Sequence, residues 1–259
     1  MPTKVVFFKK ESFKDAVLFT GLPGIGLVGK ICVDYLLKEF KAKKIATVFS
    51  DSFPPSVHTK NSIVNLIQDE VYAFESEGKP YLFLAGPVQP SLDISAGSSQ
   101  EHYEFASTLV EAAKHIGVKK IFTLAGISIG EKRMEREPRV IVAATNEKML
   151  EWFKEVGAKA DKKEGLISGA AGLILGIAKE HGIEGACLMG ETNANLIYGD
   201  HGAAKKVVEL LAKRFGFKVN MKDLEEESKK IEAAFKQLAE QFEEPEEEED
   251  LKHGPSYVR

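Results

Sequence analysis

Short apolar runs alternate with helical patterns along residues 1–218. The runs with the length and composition of strands lie at 5–8, 16–22, 44–50, 81–86, 119–127, 139–145 and 185–192. The segments with apolar residues at helical spacing lie at 24–40, 99–116, 148–156, 168–181 and 203–215. Because strands alternate with helices, we predict an α/β domain over 1–218, with a mostly parallel sheet flanked by helices on both faces.

Two further segments, 62–68 and 70–76, alternate apolar and polar residues. This alternation is typical of strands that have one face in the core and the other in water. We expect the two segments to pair with each other as a hairpin. Such an antiparallel hairpin makes the predicted sheet mixed rather than wholly parallel.

Residues 219–242 have a different pattern, which predicts an amphipathic helix. Its apolar residues fall at intervals of four and three when Ser228 fills one position, and they are Leu224, Ile231, Phe235, Leu238 and Phe242. Such a heptad seam is typical of a helix that packs against another helix. Two partners remain open, namely a neighbouring subunit in an assembly and the helix's own domain.

Charge is divided unevenly between the body of the chain and its C-terminal end. Residues 223–259 hold 13 acidic and 5 basic residues, a net charge of −8, whereas the remaining 26 acidic and 30 basic residues leave +4. The acidic block 243–250 surrounds Pro245 and lacks the apolar residues needed for a core. We therefore expect residues 243–259 to form an acidic flexible tail, which either keeps the protein in solution or contacts a basic protein surface.

Composition narrows the function classes. No apolar run reaches the roughly 18 residues of a membrane span, and the N-terminal run is too short for a secretory signal. Cys32 and Cys187 both lie within apolar runs, which predicts buried thiols in a reducing cytoplasm. Lys and Arg residues form no dense block, so we expect no nucleic-acid partner.

A glycine-rich loop follows the second predicted strand and contains Gly21, Gly24, Gly26 and Gly29. These glycines overlap two phosphate-binding patterns, the dinucleotide fingerprint G-x-G-x-x-G and the P-loop G-x-x-x-x-G-K. Both patterns place free backbone N–H groups at a helix N-terminus, where anions are favoured. The alternative is structural, because glycines also permit a tight strand-to-helix turn and close backbone packing.

Each phosphate-binding pattern is incomplete in this chain. Ile31 follows Lys30, at the place where a P-loop needs Ser or Thr to hold Mg²⁺. The acidic residue that would meet a ribose is expected about 20 residues downstream, but Asp51 lies later and is followed closely by Pro54. We therefore interpret the four glycines as a structural loop and predict no bound cofactor.

Other side chains that could carry chemistry are scattered. The sequence has no His-x-x-x-His or Cys-x-x-Cys pattern, so we predict neither a metal site nor a catalytic residue. Polar loops at 86–102, 126–138 and 190–202 follow central strands, at the edge where α/β sheets bind ligands. Their polar candidates are Gln100, Glu101, Glu131, Glu191, Asn193 and Asp200. These side chains either converge on a ligand or hydrogen-bond the loops themselves.

Four segments together resemble the PAC2 family of proteasome-assembly-chaperone-like proteins, and in particular its archaeal members. They are TGLPGIGLVGKI at 20–31, FLAGPVQPS at 83–91, TLAGIS at 123–128 and GAAGLILG at 169–176. The resemblance implies an α/β fold similar to purine nucleoside phosphorylases, without their catalytic residues. It also implies homo-oligomers, either tetramers or pentamers, and an ATP-independent role in proteasome assembly.

The C-terminus bears on the partner that this resemblance implies. Some family members end in a hydrophobic residue, a tyrosine and any third residue, a tripeptide that docks in pockets of the proteasome α ring. This chain ends in Tyr257, Val258 and Arg259, so its tyrosine stands one place too early. A shift of one residue moves the terminal carboxylate by up to about 3.5 Å. Proteasome α subunits and a different protein therefore both remain as expected partners.

The sequence thus supports two hypotheses from different classes. The first is a non-catalytic, cytoplasmic, homo-oligomeric scaffold that binds other proteins and has neither a nucleic-acid nor a membrane partner. Its candidate partner-binding positions are the five apolar heptad residues and the last three residues of the chain. The second hypothesis is a nucleoside- or phosphate-binding α/β enzyme that uses the loops at the carboxyl ends of the strands.

Overall fold

The structure is a computed structural model of the chain, and it describes residues 2–10, 12–90, 99–161, 164–196, 198–226 and 228–230. The strands are β1 (Lys4–Phe7), β2 (Ala16–Gly21), β3 (Lys43–Phe49), β4 (Val57–Lys60), β5 (Ile63–Leu66), β6 (Asp69–Ser76), β7 (Lys79–Ala85), β8 (Val118–Ser128), β9 (Val140–Ala144) and β10 (Glu184–Thr192). The helices are α1 (Val28–Phe40), α2 (Ser99–His115), α3 (Lys132–Glu135), α4 (Glu147–Lys154), α5 (Gly169–Glu180) and α6 (His201–Phe215).

Eight of the described strands form one sheet in the order β1-β3-β6-β7-β2-β8-β10-β9. The four neighbours β7, β2, β8 and β10 are parallel, whereas the pairings at both ends of the sheet are antiparallel. The prediction of a mixed α/β sheet flanked by helices is confirmed. Its antiparallel share is larger than expected, since four of the seven neighbouring pairings are antiparallel.

The predicted hairpin between 62–68 and 70–76 is wrong. Residues of the first segment form β5, which pairs with β4 in a separate two-stranded ribbon. The second segment forms β6, which pairs with β7 through a turn at Gly78 and with β3 on its other side. The alternation of apolar and polar residues predicted both strands correctly. It could not predict their pairing, because each strand is followed or preceded along the chain by another strand that it could pair with.

Helices cover both faces of the sheet. Helices α1, α4 and α6 pack on one face, around a cluster of buried rings that includes Phe19, Phe83 and Phe122. Helices α2 and α5 pack on the other face, around aliphatic residues such as Leu82 and Ile121. The central strands are buried on both sides for this reason, and their continuous apolar runs follow from it.

The direction of the strands brings most loops to one edge of the sheet. Strand β3 runs in the same direction as the four central parallel strands, because it is antiparallel to β6 and β6 is antiparallel to β7. The segments that follow β2, β3, β7, β8 and β10 therefore emerge at the same edge, which we call the carboxyl edge. The β4–β5 ribbon lies in one of these segments and belongs to this edge too.

The chain after α6 returns to the domain before it enters the predicted heptad helix. Residues 222–226 and 228–230 are helical, and Leu224 is buried in the same core as α1 and α6. Asp223 Oδ2 lies 2.8 Å from Lys38 Nζ on α1. Four predicted seam residues and the last three residues lie outside the described part of the chain, and they are Ile231, Phe235, Leu238, Phe242, Tyr257, Val258 and Arg259. Among the described helices, none is long and apolar enough to cross a membrane.

Candidate protein-binding face at the carboxyl edge

The glycine-rich loop turns directly from β2 into α1 through a short 3-10 segment at Ile25–Leu27. A Cβ atom on Gly21 would overlap the backbone of Gly29, and a Cβ on Gly29 would overlap the carbonyl of Leu124. Gly26 has φ +59°, and a side chain there would overlap Thr192. The loop therefore packs backbone against backbone, and its glycines make that approach sterically feasible.

Two features of the glycine loop do not fit a phosphate site. Gly24 has an extended backbone with φ −163° and open space beside it, so its position does not require glycine on steric grounds. The Nζ atom of Lys30, the residue that a P-loop would turn to the phosphates, lies 2.6 Å from Asp34 Oδ2 one turn along α1.

A cavity of 190 Å³ lies between the glycine loop, the end of β8 and the start of α5. Gln89 spans its rim, because its side-chain amide donates to the carbonyl of Pro23 and accepts from the N–H of Ala170 at 3.1 Å. The described residues that line it carry no charged side chain. It is smaller than the roughly 300–1,000 Å³ of typical ligand pockets, and it offers no cation to a phosphate.

A buried ion pair ties the loop after β8 to the start of α6. Arg133 Nε and Nη2 donate to the two carboxylate oxygens of Asp200 at 2.7 and 2.9 Å, and both side chains are at most 5% exposed. Asp200 also accepts from Thr192 Oγ1 and from the N–H of Ala203, so it caps α6. Its own N–H donates to the carbonyl of Gly26 at 2.8 Å. Asp200 thereby holds three loops of the carboxyl edge together.

Glu191 joins the end of β10 to the segment between α3 and β9. Its side chain is 2% exposed and accepts from Arg136 and Arg139, each with a shortest N–O distance of 2.6 Å. Burial alone would raise the pKa of Glu191, but the hydrogen bonds from the two arginines outweigh it and lower that pKa to about 2. The carboxylate is therefore ionised and saturated, which suits a structural role rather than proton transfer.

The predicted polar candidates do not converge on one point. Glu191 and Asp200 are buried in separate ion pairs, and Asn193 is buried with its side-chain oxygen accepting from the N–H of Asn195 at 3.0 Å. The other three candidates are exposed side chains on α2 and beside α3, and they are Gln100, Glu101 and Glu131. The loops thus use the buried candidates for their own hydrogen bonds.

Asp69 is a buried carboxylate of a different kind at the same edge. It begins β6, is 0% exposed, and neither of its oxygens has a hydrogen-bond partner of good geometry among the described residues. Gly86 leaves room for it, since a Cβ there would overlap the carboxylate. Burial raises the pKa of Asp69 well above its ordinary value, and the N–H of Val88 and the charge of Lys30 offset this only in part.

The thiols and the described acidic and histidine residues offer no metal centre. Cys32 and Cys187 are fully buried, and burial raises the pKa of Cys187 to about 11 and that of Cys32 further. Neither thiol is therefore a nucleophile near neutral pH. Within the described ranges, no three His, Cys, Asp or Glu side chains lie close enough to hold a metal ion.

Exposed hydrophobic residues are concentrated at the carboxyl edge. Eleven large hydrophobic residues in the described part of the chain are exposed. Eight of them lie in the segments that follow β2, β3, β7, β8 and β10 or in the first turns of the next helix, namely Ile25, Val57, Ile63, Val64, Leu66, Tyr103, Met134 and Tyr198. A ninth, Leu166, lines the cavity beside the glycine loop. Concentration of exposed apolar side chains in one region is typical of a protein-binding surface.

The β4–β5 ribbon contributes four of these residues. Its pairs Val57–Leu66 and Thr59–Val64 lie on one face, because cross-strand partners share a face and successive residues alternate. That face holds no charged residue, and three of its four side chains are 49–64% exposed apolar groups. The opposite face carries three polar side chains and one apolar one, and they are His58, Lys60, Asn65 and Ile63.

Sequence reasoning missed the arginines and the ribbon. Arg133, Arg136 and Arg139 lie in a segment of mixed charge that looked like a solvated loop, and nothing in that pattern marks which charges are buried. The ribbon had a usable signal, because residues 57–66 hold β-branched residues on both sides of an Asn-Ser pair. Asn61 and Ser62 both have positive φ, as a tight two-residue hairpin turn requires.

Comparison with known proteins decides the family. The PAC2 family model matches residues 18–239, most of the chain. The chain belongs to the PAC2 family. MJ1210 of Methanocaldococcus jannaschii is 34% identical to this chain over 253 residues, which cover 94% of this chain and 93% of MJ1210.

Solved structures of related proteins share the fold of this PAC2 family protein. PbaB of Pyrococcus furiosus, an archaeal proteasome activator, is 32% identical with a TM-score of 0.83 over 92% of this chain and 99% of PbaB. PbaA of Pyrococcus furiosus, an archaeal homologue of proteasome-assembly chaperone, is 26% identical with a TM-score of 0.72 over 94% of each chain. The resemblance inferred from the four sequence segments is thereby confirmed.

Proposed function

We propose that this protein is a non-catalytic, cytoplasmic proteasome-assembly-chaperone-like scaffold that forms homo-oligomers and binds other proteins without ATP. The observation that carries the proposal is the similarity to PbaB, at 32% identity over nearly all of both chains. PAC2 family membership and the similarity to PbaA support the same class of function. Proteasome α subunits are the first partner to test.

The chemistry of the carboxyl edge supports a binding role over a catalytic one. Two of its buried carboxylates, Glu191 and Asp200, are each paired with arginine side chains. A general base or a metal ligand needs a free lone pair directed at the reacting group, and these oxygens already accept several hydrogen bonds. The uncharged cavity beside the glycine loop also gives little support to a nucleoside- or phosphate-dependent enzyme.

The β4–β5 ribbon is the surface that we assign to self-association. A two-stranded ribbon is at best marginally stable alone in water, and every residue of β4 and β5 is exposed. The apolar face formed by Val57, Thr59, Val64 and Leu66 carries no charge, so two copies can meet across a two-fold axis without like-charge repulsion. A second copy of the chain is therefore the occupant that we propose for this face.

Substitution of each ribbon face in turn tests this assignment. The double variant Val64→Gln/Leu66→Gln makes the apolar face polar at two exposed positions, so we expect the subunit fold to survive and self-association to weaken at least tenfold. The matched control Ile63→Gln/Asn65→Gln changes two neighbouring residues on the opposite face and should leave the mass unchanged. Light scattering across a range of concentrations measures both variants. Equal mass for wild type and the first variant would remove the ribbon from the interface.

A further inference from the structure

An open groove of 520 Å³ lies at the β9 end of the carboxyl edge, between α3 and the segment that follows α4. Its lining includes three partly buried isoleucines, Ile127, Ile129 and Ile141. Its charged residues are four basic and two acidic ones, namely Lys132, Arg136, Arg139, Lys159, Asp161 and Glu191. Arg136 and Arg139 pair with Glu191. Because the lining has four basic and two acidic residues, its net charge is +2.

The groove is positive toward solvent because its charges are unequally exposed. Glu191 is 2% exposed and lies beneath the guanidinium groups of Arg136 and Arg139, which remain 39% and 53% exposed. Lys132 and Lys159 are exposed too, and so is the other acidic residue of the lining, Asp161. An extended acidic peptide would therefore meet four cations against one exposed carboxylate on this surface.

We propose that this groove holds the acidic block 243–250 of the same chain. Seven of those eight residues are acidic, and the eighth is Pro245, which favours an extended backbone. The rest of the chain, residues 1–222, carries a net charge of +4 against −8 for 223–259, so attraction within the chain is expected. The block spans at most about 28 Å when extended.

The end of the described chain lies close enough for this contact. Glu225 Oε2 lies 3.3 Å from Lys205 Nζ, and the next residue on α6, Lys206, has its Nζ 3.0 Å from Glu137 Oε2. Glu137 adjoins Arg136 in sequence, so two ion pairs on neighbouring residues connect the C-terminal helical segment to the rim of the groove. Twelve residues lie between 230 and 243, so the chain makes thirteen steps, which span about 20 Å as a helix or about 43 Å extended.

Tethering makes a weak contact effective. Exposed ion pairs each contribute little, but a short tether gives the acidic block a local concentration in the millimolar range. The bound block holds Tyr257, Val258 and Arg259 near their own subunit, and a basic partner surface or high salt releases them. The groove thus regulates the availability of the C-terminus, whichever protein that terminus binds.

Zero-length carbodiimide crosslinking of the full-length protein tests the contact, because it joins only carboxylates and amines that touch. We expect crosslinks from residues 243–250 to Lys132 and Lys159, which disappear when the salt concentration is raised. Lys119 and Lys179, exposed lysines at the opposite edge of the sheet, provide the internal control. Crosslinks spread evenly over all four lysines would overturn the proposal.

Two further measurements test whether the tail binds this groove and whether it comes from the same chain. The variant Lys132→Glu/Lys159→Glu should shift the backbone NMR signals of residues 243–259 toward those of the isolated tail peptide, whereas Lys119→Glu/Lys179→Glu should leave them as in wild type. Identical tail signals in all three proteins would contradict the groove assignment. Mixing isotope-labelled with unlabelled protein separates the two sources of tail, and crosslinks that join differently labelled copies would show that a neighbouring subunit, not the same chain, supplies it.

Discussion

At the carboxyl edge, Asp69 shows most clearly how the surroundings of a single residue set its pKa. Glu191 and Asp200 are buried with arginines, whereas Asp69 is buried against Gly86 and lacks a cation in direct contact among the described residues. An isolated buried charge is costly, so the neutral form is favoured. The raised pKa of Asp69 therefore makes the stability of the protein depend on pH.

We predict that Asp69→Asn stabilises the protein at neutral and alkaline pH but not in acid. Below the ordinary carboxyl pKa of 3.8, both the folded and the unfolded chain keep the proton, and Asp69 contributes no difference. As the pH rises, the unfolded chain releases the proton freely while the folded chain resists, so the native state loses stability until the raised pKa is passed. The amide side chain of the variant cannot ionise and escapes this loss.

Urea unfolding at a series of pH values measures the effect. The stability gain of Asp69→Asn over wild type should be near zero at about pH 4 and should grow toward about pH 8. Asp15→Asn, at an exposed aspartate, provides the matched control and should follow the wild-type curve. A gain that is constant with pH would mean that ionisation of Asp69 is not its cause.

Residue types alone could predict part of this site. The glycine loop was visible in the sequence, and the missing Ser or Thr after Lys30 was a reason for caution about phosphate binding, which stays untested. The environments of Asp69 and Arg133 could not be predicted, because burial of a charged residue depends on partners far away in the chain. Asp200, for example, is 67 residues from Arg133.

At the scale of elements, the C-terminal helical segment is anchored on its own domain where it begins. Leu224 is 3% exposed and packs with the core that contains Phe217, and Ser228, one turn later, is also buried. The first turns of the predicted heptad helix therefore use their own subunit as a partner. The role of the remaining seam residues stays a prediction, since they lie outside the described residues.

We predict that Leu224→Ala destabilises the domain by about 2–5 kcal/mol, the usual cost of truncating a buried leucine. Glu226→Ala, two residues further on and exposed, should change the free energy of unfolding by less than about 0.5 kcal/mol. Chemical denaturation of both variants gives the comparison. Equal stability would show that the segment is not part of the folded domain. If Leu224 contributes to stability, a truncated variant should keep it. A variant that ends at residue 230 meets this condition.

The elements themselves were largely predictable, and their pairing was not. Apolar periodicity located the central strands and the major helices to within a few residues, because buried strands and amphipathic helices need those patterns. It could not decide that β5 pairs with β4 or that β6 pairs with β7, since the same alternation suits either neighbour. The short helix α3 was missed because its four residues, KRME, have no periodic signal.

At the scale of the whole molecule, the protein is best explained as a rigid body that presents surfaces. Buried ion pairs at Asp200 and Glu191 fix the loops of the carboxyl edge, and the exposed apolar residues on those loops supply contact area. The sequence beyond residue 230 adds an acidic extension, and we propose that the groove of the same subunit holds it until a partner releases it. We propose that these parts act together in protein assembly.

Native mass spectrometry of the purified chain with proteasome α subunits, in the absence of ATP, tests this account most directly. We predict that the full-length chain alone forms a homo-oligomer. We also predict that the full-length chain forms a complex when it is mixed with α subunits. The variant that ends at residue 230 keeps the folded domain and should lose that complex, because it lacks the acidic block and the terminal residues. A monomeric chain, or the absence of any complex between the full-length chain and α subunits, would contradict the account.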